Sequence, residues 1–422
     1  MRFEKIGTIL TMALLVVIAS PLNLTPPSAH AEEFTISGAG ATFPFPLLDL
    51  WRVKYNGENQ NIQLNYQSIG SGGGVKQHIE KTVNFGATDA PLTSKELELA
   101  PDSLHIPEAI GGVTFTYNIP EVPQSGMKLT GSQVADIFLG KITKWNDPSI
   151  KANNPDLNLP NKDILAVHRS DGSGTTHVFT EYLSMVSQEW HDKVGFGKSV
   201  PWPLGVGAAG NEGVSGTVRS TPYAAGYVEL AYVFQNNMPH ANIQNADKTA
   251  YVKPSLETLA AAAAGAAPTL PAAHEDWQGV TINNAPGKDS YPITSFTYLL
   301  LHQNLEATTK SKEHAKETIN LVKWMITDGQ KYSPELLYVP IPSEVTEIGL
   351  KGLSRVTFNG EKLYDGSTAS TASNAATQTS TQSEKIPSWL KDVFRFYVEG
   401  QITEDDLLNG LQYLINQGIL KV

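Results

Sequence analysis

Three short turns in this 422-residue chain combine glycine, serine and threonine in a pattern suited to holding an anion. The first is Gly-Ala-Gly-Ala-Thr-Phe at 38–43 and the second Gly-Ser-Gly-Gly-Gly at 70–74. The third, Arg-Ser-Asp-Gly-Ser-Gly-Thr at 169–175, carries an arginine. Glycine lets the main chain approach a ligand closely, hydroxyls add donors, and the Arg169 guanidinium offers a planar fork that matches tetrahedral oxyanions. A fourth candidate is Asp89, at the end of Val-Asn-Phe-Gly-Ala-Thr-Asp-Ala-Pro at 83–91. It reads either as a turn carboxylate held before Pro91 or as a carboxylate inside an anion site. The second reading makes sense only for an anion with a proton to donate. Each glycine turn alone is ordinarily only a tight connection, and Arg169 alone ordinarily a surface ion pair. Their concurrence puts an anion site on an equal footing. The glycines at 70–74 lack the G-x-G-x-x-G spacing of a dinucleotide fingerprint.

The elements around these turns share one plan. A strand from Phe34 runs into the first turn, followed by a helical pattern through Leu47, Leu50 and Trp51. An alternating strand at 62–66 precedes the second turn, and the pattern predicts a helix over 75–81. An apolar strand at 164–167 precedes the third turn, with a helix expected over 176–183. The first turn of a helix leaves amide N–H groups unpaired and carries partial positive charge, which makes it a receptor for phosphate-like groups. The rhythm of strands, glycine turns and amphipathic stretches over 34–364 is that of an α/β fold.

Composition narrows the function further. The net charge is −11, a poor match for nucleic acid. The absence of cysteine excludes disulfides, thiolate metal sites and a lipid-modified cysteine. No P-loop, H-E-x-x-H or G-x-S-x-G motif occurs, and the ten histidines are scattered. No catalytic residue, metal site or cofactor is therefore expected. Residues 1–31 open with Arg2 and Lys5, continue through an apolar run at 6–19 and end in Ala29-His30-Ala31. This reads as a signal peptide of an exported protein, since Pro21, Pro26 and Pro27 break a run already too short to span a bilayer. The remaining chain, roughly 390 residues, suffices for two or three domains. The Ala-rich stretch at 260–273 reads as a helix or surface insertion without assigned function.

Residues 367–383 are almost wholly Ser, Thr, Ala, Gln and Asn, the core of a flexible linker at 365–384. Beyond it, Trp389, Val393, Phe396 and Tyr397 share one helical face, and Thr403 opens a second helix whose apolar face runs from Leu407 to Ile415. A helical hairpin is expected at 385–422. It either folds back on the main body or acts, through 387–422, as a docking piece at the cell surface.

In order along the chain, these segments resemble the phosphate-binding proteins of phosphate ABC transporters, the PstS type. The matching residues are Gly-Ala-Gly-Ala-Thr-Phe-Pro at 38–44, Tyr-Gln-Ser-Ile-Gly-Ser at 66–71 with Gly-Gly-Val-Lys-Gln at 73–77, and Phe-Gly-Ala-Thr-Asp-Ala-Pro at 85–91. Leu-Gly-Lys-Ile-Thr-Lys-Trp at 139–145, the arginine turn, Gly-Tyr-Val-Glu at 226–229 and Tyr-Pro-Ile-Thr at 291–294 continue the match. The resemblance implies a two-lobed periplasmic-binding-protein fold of type II with two crossing hinge strands, plus the small helical module. It places the first lobe at 32–110 and 292–364 and the second at 111–291. It puts Ala41, Thr42 and Phe43 at the ligand, Thr42 and Phe43 through hydroxyl and N–H, and Ser71 through both groups. Arg169 would pair with the anion and be oriented by Asp171. Ser173, Gly174 and Thr175 would complete the cradle, and Asp89 would accept the ligand's proton. Inorganic phosphate and ABC transporter permease subunits are the implied partners. Gly72 departs from the pattern, since many relatives carry a second serine there, and the tail beyond 364 has no counterpart. The alternatives are another oxyanion, a secreted phosphate-ester-handling enzyme on the same cradle, and a surface role centred on the hairpin.

Overall fold

A computed structural model describes residues 32–366 and Leu407. The expected signal peptide, the linker beyond Gly366 and the rest of the hairpin lie outside the described residues. The strands of the described chain are β1 (Phe34–Gly40), β2 (Ile62–Ser68), β3 (Phe85–Thr88), β4 (Ser103–Tyr117), β5 (Met127–Leu129), β6 (Leu165–Arg169), β7 (Val206–Ala208), β8 (Ala224–Glu229), β9 (Ala241–Gln244), β10 (Tyr251–Val252), β11 (Thr294–His302), β12 (Thr357–Phe358) and β13 (Glu361–Lys362). The helices are α1 (Phe45–Glu58), α2 (Ser71–Ile79), α3 (Ser94–Leu99), α4 (Gly131–Phe138), α5 (Pro148–Asn153), α6 (Gly174–Val186), α7 (Gln188–Lys193), α8 (Gly210–Ser220), α9 (Leu230–Gln235), α10 (Leu256–Ala263), α11 (Lys312–Ile326) and α12 (Ser343–Leu353).

Eight strands form one sheet in the order β2-β1-β3-β11-β4-β8-β6-β7. β1 runs parallel to β2 and β3, and β8 and β7 run parallel to β6. β11 and β4 lie antiparallel at the centre. β4 is buried at every position, and it changes partners once. Its residues 103–107 and 109–112 pair with β11, whereas Val113–Tyr117 pair with β8. One strand thus belongs to both halves of the sheet. Large aromatics fill the layers between sheet and helices, with Trp51, Trp145, Trp190 and Trp277 fully buried. Each such side chain contributes about 1.5–3 kcal/mol of apolar transfer.

The residues with chemistry leave the carboxyl ends of the parallel strands. Ala41, Thr42 and Phe43 follow β1, Ser71 follows β2, and Asp89 follows β3. Arg169 closes β6, Asn211 follows β7, and Glu229 closes β8. Crevices at strand carboxyl ends are where open α/β sheets bind ligands.

Two helix boundaries differ from the sequence expectation. α2 starts at Ser71, four residues before the expected 75, so its first turn contains Gly72, Gly73 and Gly74. Helix propensity disfavours that start, but close packing requires it: a Cβ at Gly74 would stand 2.4 Å from Gly40 Cα. α6 likewise starts at Gly174 rather than 176. In the Ala-rich stretch, α10 ends at Ala263 and a short 3-10 helix follows at Ala267–Thr269.

Candidate functional site

Arg169 is buried, and Asp171 holds it by two bonds: Nε donates to Oδ1 at 2.7 Å and Nη2 to Oδ2 at 2.5 Å. Asp171 also accepts the Gly210 N–H at 3.0 Å. Burial works against the Asp171 charge, but the hydrogen bonds and charge of Arg169 outweigh it and hold this carboxyl below its ordinary range. The paired geometry fixes the guanidinium plane and turns Nη1 toward Thr175 Oγ1 at 3.4 Å.

Asn211 orients two of the site's hydroxyls, and the sequence reading missed it. It is fully buried in the first turn of α8. Its N–H and Nδ2 both donate to Thr42 Oγ1, at 3.1 and 2.8 Å. Nδ2 also donates to Thr175 Oγ1 at 3.1 Å. A hydroxyl oxygen has two lone pairs and one proton. With both acceptor positions of Thr42 Oγ1 filled, its proton is left to be donated. Thr175 Oγ1, facing Asn211 and Arg169, is placed in the same way. The Glu229 N–H donates to Asn211 Oδ1 at 3.0 Å and sets the amide's orientation.

Ser71 and Asp89 meet α6 directly. Ser71 Oγ accepts the N–H of Gly174 at 3.0 Å and that of Asp89 at 3.3 Å, and lies 3.3 Å from Asp89 Oδ2. Only glycine fits at 174, because a Cβ there would stand 2.5 Å from both Asp89 Oδ2 and Ser71 Oγ. Thr297 donates to Asp89 Oδ1 at 2.9 Å. Burial pushes the Asp89 carboxyl up to about 7, against the hydrogen bond of Thr297, the charge of Arg169 and the hydrogen bond of Ser71. Burial thus works against the Asp89 charge, while Thr297, Arg169 and Ser71 support the carboxylate as an acceptor.

The remaining expected residues divide. Among the described residues, no group accepts the N–H of Phe43 or of Ser71. The Thr42 and Phe43 carbonyls are capped at 2.6 Å by the hydroxyls of Tyr232 and Tyr338. Ala41 lies beside them, but its N–H goes to Ala87 O at 3.0 Å and its carbonyl accepts from Tyr66. Ser173 is used locally: its Oγ caps α6 through Thr176 N–H, and its own N–H donates to Lys198 O. The N–H of Gly72 donates to Gly172 O at 2.8 Å, and a Cβ there would stand 3.1 Å from Gly172 Cα, a tight approach.

Around the cluster stand two further buried carboxyls, Glu108 and Glu229. Burial, then the charge of Asp89, pushes Glu108 up to about 8. Burial also raises Glu229 well above its ordinary value, against a bond from the Tyr338 hydroxyl at 2.9 Å. The cluster thus combines one arginine already paired with an aspartate, several neutral donors, and acids inclined to stay neutral. An anion placed here would meet dipoles in a dry setting, where each contact is worth more than in water.

Residues 25–328 match the family model described as a PBP superfamily domain. The chain is 46% identical over 331 residues to "Phosphate-binding protein PstS" of Xylella fastidiosa (strain 9a5c), covering 77% of this chain and 86% of that relative. It is 44% identical over 339 residues to the protein of the same name from Pasteurella multocida (strain Pm70), covering 79% and 92%. The solved structure of a phosphate binding protein from Stenotrophomonas maltophilia superposes with a TM-score of 0.54 at 21% identity, over 74% of this chain and 92% of that one.

Proposed function

The chain belongs to the PBP superfamily and, within it, to the PstS-type phosphate-binding proteins, and from that premise we propose that it captures inorganic phosphate and delivers it to an ABC transporter permease. It works as an exported binding protein. Its two lobes, 32–110 with 292–364 and 111–291, close on the ligand about β4 and β11 in the manner of hinged binding proteins. The relatives carry the name of phosphate-binding proteins. The segment 387–422 is proposed as a contact that retains the protein at the surface or docks it on its own body.

The observation that carries this reading is the donor arrangement. Thr42 and Thr175 accept N–H bonds from Asn211, which leaves the proton of each hydroxyl to be donated. Arg169 Nη1 and the Phe43 and Ser71 N–H groups supply further donors beside them. Asp89 supplies the one acceptor. Phosphate keeps a proton near neutral pH and meets that acceptor with a donor. A fully deprotonated oxyanion meets it with lone pairs, which leaves two negative groups desolvated against each other.

Calorimetry of the purified chain, stripped of bound anion, tests the assignment. One phosphate per chain is expected, with arsenate competing and no phosphate ester hydrolysed. A chain that turns over phosphate esters belongs instead to the enzymatic alternative.

A further inference from the structure

Glu108 sits in the middle of β4, the strand shared by both halves of the sheet, with its side chain fully buried. It is the extra residue of a β-bulge: Thr297 pairs with Ala109 and Tyr298 with Pro107, so Glu108 has no partner in the ladder. Bulges re-aim a side chain, and they concentrate beside functional sites. This one is anchored by Gln330, whose Nε2 donates to the Glu108 carbonyl at 2.8 Å and whose Oε1 accepts from Ile341 N–H. The redirected carboxyl reaches Thr297 Oγ1 at 3.2 Å, and Thr297 Oγ1 lies 2.9 Å from Asp89 Oδ1.

A threonine hydroxyl has one proton. It cannot satisfy two ionised carboxylates, and two charges facing each other through one buried oxygen would be strongly unfavourable. One of the two acids must therefore hold a proton and donate it to Thr297 Oγ1. Glu108 is the better holder, because its Oε2 has no hydrogen-bond partner among the described residues. Asp89, by contrast, has the Ser71 hydroxyl and the charge of Arg169 to support its ionised form.

We propose that Glu108 is a positioning residue of the anion site: its protonated carboxyl donates to the Thr297 hydroxyl, which donates in turn to Asp89 and holds that carboxylate as the acceptor facing the ligand. The other titratable or charged groups turned toward the Asp89–Glu108 pair are Tyr66, Arg169, Glu229, Tyr298 and Tyr338. Arg169 is the cation among them, and Asp171 already engages it. Nothing in this set supports a second negative charge at Glu108. A bound phosphate dianion opposes that charge further, so binding at alkaline pH draws one proton from solvent onto Glu108.

The inference rests on the phosphate reading, and the test separates the two. Phosphate binding is measured by calorimetry on the full chain from about pH 7 to about pH 9, in buffers of differing ionisation heat. Inorganic phosphate is largely the dianion at the upper end and exchanges little itself. Wild-type affinity should fall above about pH 8, approaching ~10-fold per pH unit, with proton uptake rising toward one per phosphate over the same range. Glu108→Gln should bind with a flat profile and no uptake there, because its amide donates to Thr297 at every pH. Glu108→Leu should bind more weakly throughout, since Thr297 then lacks its donor. Superimposable wild-type and Glu108→Gln profiles overturn the role of Glu108. If the variants fail to fold, wild-type protein that binds phosphate at about pH 9 without taking up a proton overturns it alone. A chain that binds no phosphate overturns the ligand assignment as well.

Discussion

The side-chain amide of Asn211 donates to the hydroxyls of both Thr42 and Thr175, at 2.8 and 3.1 Å, across 169 and 36 residues of sequence. These two bonds turn a pair of ambidextrous hydroxyls into donors.

Asn211→Ala should therefore weaken phosphate binding by about 1–3 kcal/mol, ~5- to 150-fold, the cost of leaving buried polar partners unsatisfied. Asn211→Asp should cost more, because a carboxylate accepts from both hydroxyls and turns their protons away from the ligand. Calorimetric titration of both variants checks this order. Equal affinity for Asn211→Asp and wild type would place the ligand away from Thr42 and Thr175.

The contrast between Arg169 and Asn211 explains how much of the site was legible in the sequence. Arg169, Asp171, Gly174 and Thr175 occur in one turn, and local spacing exposes their joint chemistry. Thr42 and Ser71 were readable because each lies in a glycine turn after a strand, and Asp89 because it ends an apolar strand before Pro91. Asn211 is a lone asparagine at a helix start, a position where it ordinarily serves as a cap. Glu108 lies in an apolar strand with only Pro107 to hint at a bulge, and its partners stand 189 to 222 residues away. Thr297, Tyr232 and Tyr338 are likewise joined to the site only by tertiary folding. The α2 boundary was misplaced because glycine propensity argues against a helix there, whereas packing on β1 decides the matter. The strand order could not be read from periodicity, which reports faces and not neighbours. The expected hairpin lies, Leu407 apart, outside the described residues.

Lys198 and Glu96 form a half-buried ion pair, Nζ to Oε1 at 2.7 Å and to Oε2 at 2.8 Å. It links α3 to the segment whose Lys198 carbonyl accepts from Ser173, the cap of α6. If the lobes open to release phosphate, this pair must break. Lys198→Met should raise the phosphate dissociation rate about 2- to 5-fold, ~0.4–1 kcal/mol, and blunt its dependence on salt. Stopped-flow release measurements at low and high ionic strength check this. An unchanged rate with unchanged salt dependence would mean that the pair is not part of closure.

Asp102 Oδ1 accepts from His302 Nδ1 at 2.8 Å, while His302 Nε2 lies 2.8 Å from the His78 carbonyl and its ring stacks on His78. The hydrogen bond from His302 holds Asp102 down to about 2, against partial burial. A depressed carboxyl stabilises the fold above its unfolded value, near 4, and loses that contribution as pH falls toward 2. Asp102→Asn should lower the melting temperature at neutral pH and flatten its decline between about pH 4 and pH 2. Thermal denaturation across that range checks the sign. A variant that melts as wild type does at neutral pH and keeps its full acid-range slope would show that the pair does not stabilise the fold.

On the proposed function, the cluster around Asp89 receives a proton-bearing oxyanion. The most direct measurement is the ratio of phosphate to sulfate affinity, by calorimetry on the anion-free chain, in wild type and in Asp89→Asn. Phosphate and sulfate are tetrahedral and similar in size, so neutral donors and one arginine cannot separate them. A buried acceptor can, because a site built to meet a hydrogen-bonding proton rejects an analogue lacking it by ~10⁴-fold or more. Wild type should bind phosphate and leave sulfate essentially unbound. Asp89→Asn, which can offer an N–H at the same position, should narrow the ratio by taking up sulfate. Wild-type protein that binds sulfate as tightly as phosphate would contradict both the role of Asp89 and the identity of the ligand.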